Sequence, residues 1–115
     1  MQTDQMITLV QNALEDMKAR DIAILDVRGK SSVTDYMVVA SGTSKRHVMS
    51  VAQEVVDKAK EAGSKPIGVE GEAVGDWILV DLGDIVVHVM MPDARSFYDI
   101  ERLWRFDADS EAVAE

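Results

Sequence analysis

The chain contains no cysteine, so neither a disulfide framework nor a thiolate metal site is available to it, and a cross-linked secreted mini-domain is excluded. It has no thiol nucleophile, and no Gly-x-Ser-x-Gly elbow, Walker loop or His-Glu-x-x-His pair, which leaves little basis for hydrolase, P-loop or zinc-protease chemistry. The opening Met1-Gln2-Thr3-Asp4-Gln5-Met6 lacks a basic region followed by an apolar stretch, and no apolar run approaches the roughly 20 residues that span a bilayer. We expect nothing to target or anchor the chain, and the cytoplasm is its natural compartment. Positive charge is also scarce: Lys and Arg total 12 against 21 Asp and Glu, giving a formal charge of −9 and a pI near 4.6. A field of that sign repels phosphate backbones and attracts basic surfaces. A protein so charged works near RNA through a basic protein partner, not by neutralising many phosphates.

What is present is one ordinary domain's worth of chain. Its 115 residues are 47% hydrophobic and 29% charged, the proportions of a globular protein with one modest core. Asp107, Asp109, Glu111 and Glu115 fall in a stretch with no basic residue, and removing these four from the −9 leaves −5 over residues 1–106. The expected organisation is a domain over 1–106 and an acidic, disordered tail over 107–115.

Hydrophobic spacing sets the expected elements. Over residues 4–19, Met6, Leu9, Val10, Ala13, Leu14 and Met17 form one helical face, with Thr3 or Asp4 as the cap. Ile22–Val27 and Tyr36–Ala40 read as adjacent strands, the second deeply buried, separated by the turn-like Arg28-Gly29-Lys30-Ser31-Ser32. Val48, Val51, Ala52, Val55, Val56 and Ala59 repeat at helical spacing, and Gly63 stands where that helix should stop. Pro66–Val69 suits an edge strand or an extended connection, since proline cannot donate within a ladder. Trp77–Leu82 and Ile85–Met91 predict a central hairpin turning at Gly83-Asp84. Ser96 with Asp99 resembles a capping box for a short last helix whose face is Phe97, Ile100, Leu103 and Trp104. The order αββα(β)ββα predicts an α/β (α+β) domain: a mixed sheet of about five strands with helices packed on it.

Several ordered blocks carry a family resemblance. They are Thr34-Asp35-Tyr36, Ala40-Ser41-Gly42-Thr43-Ser44, Arg46-His47-Val48, Val69-Glu70-Gly71-Glu72, Asp76-Trp77-Ile78-Leu79-Val80-Asp81-Leu82-Gly83-Asp84 and Val86-Val87-His88-Val89-Met90, with Arg95, Tyr98, Glu101, Leu103 and Trp104 beyond. Together they resemble the signature of the ribosomal silencing factor (Iojap-like) family over essentially residues 4–105. The resemblance implies a nucleotidyltransferase-like fold, often dimeric, that docks on the large-subunit ribosomal protein of the L-fourteen position. It implies that this docking blocks joining of the small subunit and lowers translation when nutrients are scarce. It implies no enzyme activity, cofactor or metal.

A protein contact of this kind needs a few large anchors ringed by polar groups. Alternation along the hairpin puts Trp77, Leu79 and Asp81 on the face of Val86, His88 and Met90, and leaves the other face entirely aliphatic. The mixed face, with Glu70, Asp84 and Tyr98, is the expected partner surface. In the alternative reading, Trp77 only caps the core and His88 is a satisfied sheet histidine. Asp81, Asp84 and His88 are chemically suited to a divalent cation, but they come from a turn and two strands and lack a fourth ligand. Thr43, Ser44, Lys45 and Arg46 at a helix start suit an anion or RNA phosphate, or equally an N-cap followed by a solvated face. The strand after that helix begins Pro66-Ile67-Gly68-Val69 and lacks the Asp-x-Asp pair that phosphoryl transfer needs. Of the seven methionines, Met1 reads as the initiator and Met6, Met17 and Met37 as core filler, and Phe97, Ile100 and Trp104 read as core or dimer contacts.

Overall fold

A computed structural model describes residues 2–32 and 34–102. Leu103, Trp104 and the acidic stretch from Asp107 lie outside the described residues. The elements run α1 (Thr3–Asp16), β1 (Arg20–Asp26), β2 (Tyr36–Ser41), α2 (Lys45–Glu61), β3 (Gly68–Glu70), β4 (Trp77–Asp81), β5 (Ile85–Met90) and α3 (Pro92–Tyr98).

α1 forms because Met6, Val10, Ala13 and Leu14 make a continuous buried stripe. Its cap is Gln2, not Thr3 or Asp4: the Gln2 backbone N–H donates to Gln5 Oε1 at 3.2 Å. The helix closes earlier than the expected residue 19, because Lys18 takes a left-handed φ of 59° and the Ala19 N–H turns back to the Leu14 carbonyl at 2.9 Å. Asp21, with φ 51°, follows at the register shift between Arg20 and Ala23, a bulge that starts β1. α2 begins where its sequence suggests, and of Thr43 and Ser44 it is the Ser44 hydroxyl that caps it, accepting from the His47 N–H at 3.0 Å. It ends at Gly63, whose φ of 82° lets the Ser64 N–H reach the Ala59 carbonyl at 2.8 Å.

The sheet has five strands in the order β1-β2-β5-β4-β3. β2 and β5 pair in parallel at its centre, while β1–β2, β4–β5 and β3–β4 are antiparallel. The parallel pair is possible because α2 and two further strands intervene between β2 and β5. β3 occupies one edge, where Pro66 just before it costs no ladder bond.

α1 and α2 cover one sheet face, enclosing the main core of Val38, Ala40, Ile78, Val80, Ile85, Val87 and Val89 with the helices' inner stripes. A smaller cluster lies on the opposite face: Val27, Met37, Val39 and Met90, with Leu25, Trp77, Ala94 and Ile100 packed against it. The helix over this second face differs from the expected one. It begins at Pro92, which as the first helical residue loses no hydrogen bond, and Ser96 lies inside it. Asp99 ends it in the left-handed region with φ 48°, and a new helical turn starts at Ile100. Phe97 and Ile100 therefore part company: Ile100 packs inward, while Phe97 is 81% exposed.

The glycine after β3 ties the sheet edge to β4. Gly71 has φ 91°, and a Cβ there would strike the Trp77 carbonyl oxygen, whereas Gly29, with φ 81°, faces open space. Gly71→Ala should lose about 3 kcal/mol in urea unfolding and Gly29→Ala only about 1 kcal/mol, the difference being the clash. Equal losses would contradict this account of the Gly71 turn.

Candidate docking face

Cross-strand register decides which side chains share the sheet face that α1 and α2 leave uncovered. Trp77 pairs with Met90, Leu79 with His88, Asp81 with Val86 and Glu70 with Leu79. On the other side of β5, Val39 pairs with His88 and Ser41 with Met90. Since paired residues point the same way, Glu70, Trp77, Leu79, Asp81, His88 and Met90 all belong to this face. Six of the eight expected contact residues are thus brought together by the sheet itself.

They do not play equal parts. Met90 is fully buried and His88 is 6% exposed, so neither has surface to offer a partner directly. The geometry moves both from the contact set to its support. Met90 floors the smaller cluster against which Trp77, Ala94 and Ile100 pack. His88 accepts a hydrogen bond at Nδ1 from Trp77 Nε1–H at 2.9 Å, with the two ring centroids 5.8 Å apart. This is the satisfied sheet histidine of the alternative reading, with an added consequence: it fixes the rotation of the indole. The acceptor role requires the unprotonated Nδ1, and burial pushes the His88 imidazole down from its ordinary 6.5 to about 4.

Tyr98 reaches the face from α3. Its ring packs on Trp77 with centroids 4.9 Å apart and planes tilted by 46°. Phe97 meets Tyr98 edge-on at 5.0 Å and 89°. Trp77, Tyr98 and Phe97 form a ridge at one end of the face, with Leu79 half-buried next to it and Glu70 exposed beside Leu79 on the edge strand. The exposed Phe97 differs from the expected core or dimer packing, because the helix starts at Pro92, about one turn before the frame that Ser96 and Asp99 suggest. Pro92 was the signal that would have corrected it.

Asp84 does not join the ridge. It lies at the hairpin turn, and strand rise alone puts Asp81, at the near end of that turn, about 13 Å from Trp77. Its carboxylate accepts from the Thr3 hydroxyl at 3.2 Å at the start of α1. Asp81 accepts from the Gly83 N–H at 2.9 Å. Asp81, Asp84 and His88 therefore each serve a different local bond, and no group of three such ligands converges among the described residues.

The segment at the start of α2 is largely occupied by its own residues. The Thr43 N–H donates to His47 Nδ1 at 2.9 Å, and His47 Nε2–H donates to the Met17 carbonyl at 2.7 Å, linking α2 to the end of α1. Ser44 is the N-cap, and Lys45 pairs with Asp76 at 3.4 Å across an exposed gap. Arg46 is exposed. This geometry is that of an N-cap followed by a solvated face.

The buried His88 makes stability depend on pH. The unfolded chain takes up a proton near 6.5 and the folded chain only near 4, so stability is full above 6.5 and falls as pH drops towards 4. Between pH 6.5 and 5 this amounts to about 2 kcal/mol. His88→Asn keeps an acceptor for Trp77 but cannot take the proton. Denaturant unfolding at a series of pH values should show that loss in the native chain and a nearly flat profile in the variant. A native profile as flat as that of His88→Asn would contradict a neutral, buried imidazole.

A family model described as "Ribosomal silencing factor during starvation" matches residues 1–115. The "Ribosomal silencing factor RsfS" of Chromobacterium violaceum is 46% identical over 113 residues, covering 98% of this chain and 93% of that protein. A crystal structure of protein CV0518 from the same organism superposes with a TM-score of 0.89 at 47% identity, covering 90% of this chain and 87% of the other. The Mus musculus "Mitochondrial assembly of ribosomal large subunit protein 1" is 34% identical over 112 residues, covering 95% of this chain and 49% of that protein. Matched along its whole length by the family model, the chain belongs to the ribosomal silencing factor family.

Proposed function

We propose that the chain binds the large ribosomal subunit through its L-fourteen protein, using the uncovered sheet face, and so bars the small subunit from joining, repressing translation when nutrients are limiting. The action is competitive exclusion: affinity for one surface puts the bulk of the domain where another body must dock. It needs neither turnover nor a cofactor, and the chain works in the cytoplasm as a regulator and not as an enzyme. Among the described residues no helix is long and apolar enough to cross a membrane.

The observation that carries this reading is the aromatic ridge. Trp77 is held by His88 and flanked by Tyr98 on a face that the two long helices do not cover. Oriented aromatic anchors with a polar rim are the usual energetic centre of a protein contact. The net charge of −9 favours a basic partner, as proteins embedded in ribosomal RNA commonly are. Family membership and the large-subunit name of the mouse relative support the choice of body.

Co-sedimentation with separated subunits tests the reading. The protein should travel with large subunits and not with small ones. Trp77→Ala and Tyr98→Ala should each weaken retention by about 2 kcal/mol, or roughly 30-fold, whereas Asp84→Ala should change it by less than about 0.5 kcal/mol. Undiminished retention of a Trp77→Ala protein whose circular dichroism shows it folded would overturn the interface assignment.

A further inference from the structure

The part of the ridge that comes from α3 is held by unusually little apolar packing. α3 has seven residues, none of them fully buried, and a helix that short does not persist in water by itself. Ala94 and Ile100 rest on the Met90 layer only in part. The chain also turns sharply just after the helix, at Asp99, where a left-handed φ of 48° makes an elbow next to Tyr98.

One side chain spans this elbow. Arg95 donates from Nε and Nη2 to the two carboxylate oxygens of Glu101, at 2.7 and 3.1 Å, and from Nη1 to the Ser41 hydroxyl at 2.9 Å. The Arg95 and Glu101 side chains are only 14% and 13% exposed, and Ser41, the last residue of β2, is 3% exposed. The planar guanidinium therefore joins three elements at fixed angles: the end of β2, α3 and the turn that follows the elbow. Charge-assisted, two-pronged bonds of this kind impose geometry as well as energy. Ser41 sits opposite Met90, and Met90 opposite Trp77, so the clamp anchors in the same cross-strand row as the indole.

We infer that Arg95, held by Ser41 and Glu101, is a positioning residue of the docking face: it fixes the elbow so that Tyr98 and Phe97 extend the Trp77 surface before any partner arrives. The inference rests on the docking reading proposed above. A preformed ridge spares the partner the ordering of α3, so loosening the clamp lowers affinity without removing any contacting group.

The test combines a signal from the free protein with binding. In the full-length chain, Arg95→Lys keeps the charge but loses the fork, and Glu101→Gln keeps the shape but loses the second carboxylate oxygen. Each should shift the Trp77 indole N–H resonance, assigned with Trp77→Phe, and weaken retention on isolated large subunits by about tenfold, while the unfolding transition stays cooperative. In a Tyr98→Ala background the further effect of Arg95→Lys on retention should shrink from about tenfold to a few-fold, because one of the two rings that Arg95 positions is missing. An unmoved indole resonance in both variants, or an undiminished effect of Arg95→Lys in the Tyr98→Ala background, overturns the positioning role. If Trp77→Ala itself binds like the native chain, the docking reading falls, and the indole resonance of the free protein still decides whether Arg95 sets the ridge.

Discussion

A five-stranded sheet has two faces to remove from water, and this chain lays its two long helices on the same one. Everything else in the structure follows from that imbalance. The central strands β2 and β5 are buried on both sides almost throughout because they are flanked on both sides, by the helices on one face and by the Met90 cluster on the other. The second face is closed only at one end, by a seven-residue helix that packs incompletely. What remains open is a strip along β4 bordered by the edge strand, and it is there that the chain places its half-buried tryptophan.

That strip is held in shape by polar bonds where a covered face would use packing. The indole N–H is satisfied by His88, and His88 stays neutral because it is buried. The Tyr98 ring stands against the indole because Arg95 closes the elbow at Asp99. Gly71 lets the edge strand turn close beside the Trp77 carbonyl. Each device costs little in apolar surface and fixes an angle, which suits a face that must stay ordered while exposed to water.

The fold was largely legible in the sequence because its signals are periodic. The α2 stripe from Val48 to Ala59, the cap site at Thr43 or Ser44, the Gly63 stop and the alternation in Trp77–Asp81 each state a pattern that only one element satisfies. The misplaced features lack periodicity. Lys18 and Asp21 take left-handed conformations without being glycine, so nothing announced the early end of α1 or the bulge in β1. α3 was framed from Ser96 and Asp99 because their spacing imitates a capping box, while Pro92 carried the true start. On the uncovered sheet face, alternation correctly assigns Trp77, Leu79, Asp81, His88 and Met90 to one side. It could not tell which of them α3 would cover, since coverage depends on packing from a distant segment. The Asp84 carboxylate, expected to help that face, lies instead at the hairpin turn, where it accepts from the Thr3 hydroxyl. The Arg95–Glu101–Ser41 clamp was invisible for a related reason: 54 residues separate Arg95 from Ser41.

The central claim, that docking excludes the small subunit, is tested most directly by subunit joining itself. Purified large subunits are incubated with a stoichiometric excess of the protein, small subunits are added, and light scattering follows formation of the joined ribosome. The account predicts a reduced scattering amplitude that depends on protein concentration. It also predicts that adding the protein to small subunits first, and then removing the unbound fraction, leaves joining untouched. Full joining in the presence of large-subunit-bound protein would contradict it, because binding would then occur at a surface that does not compete.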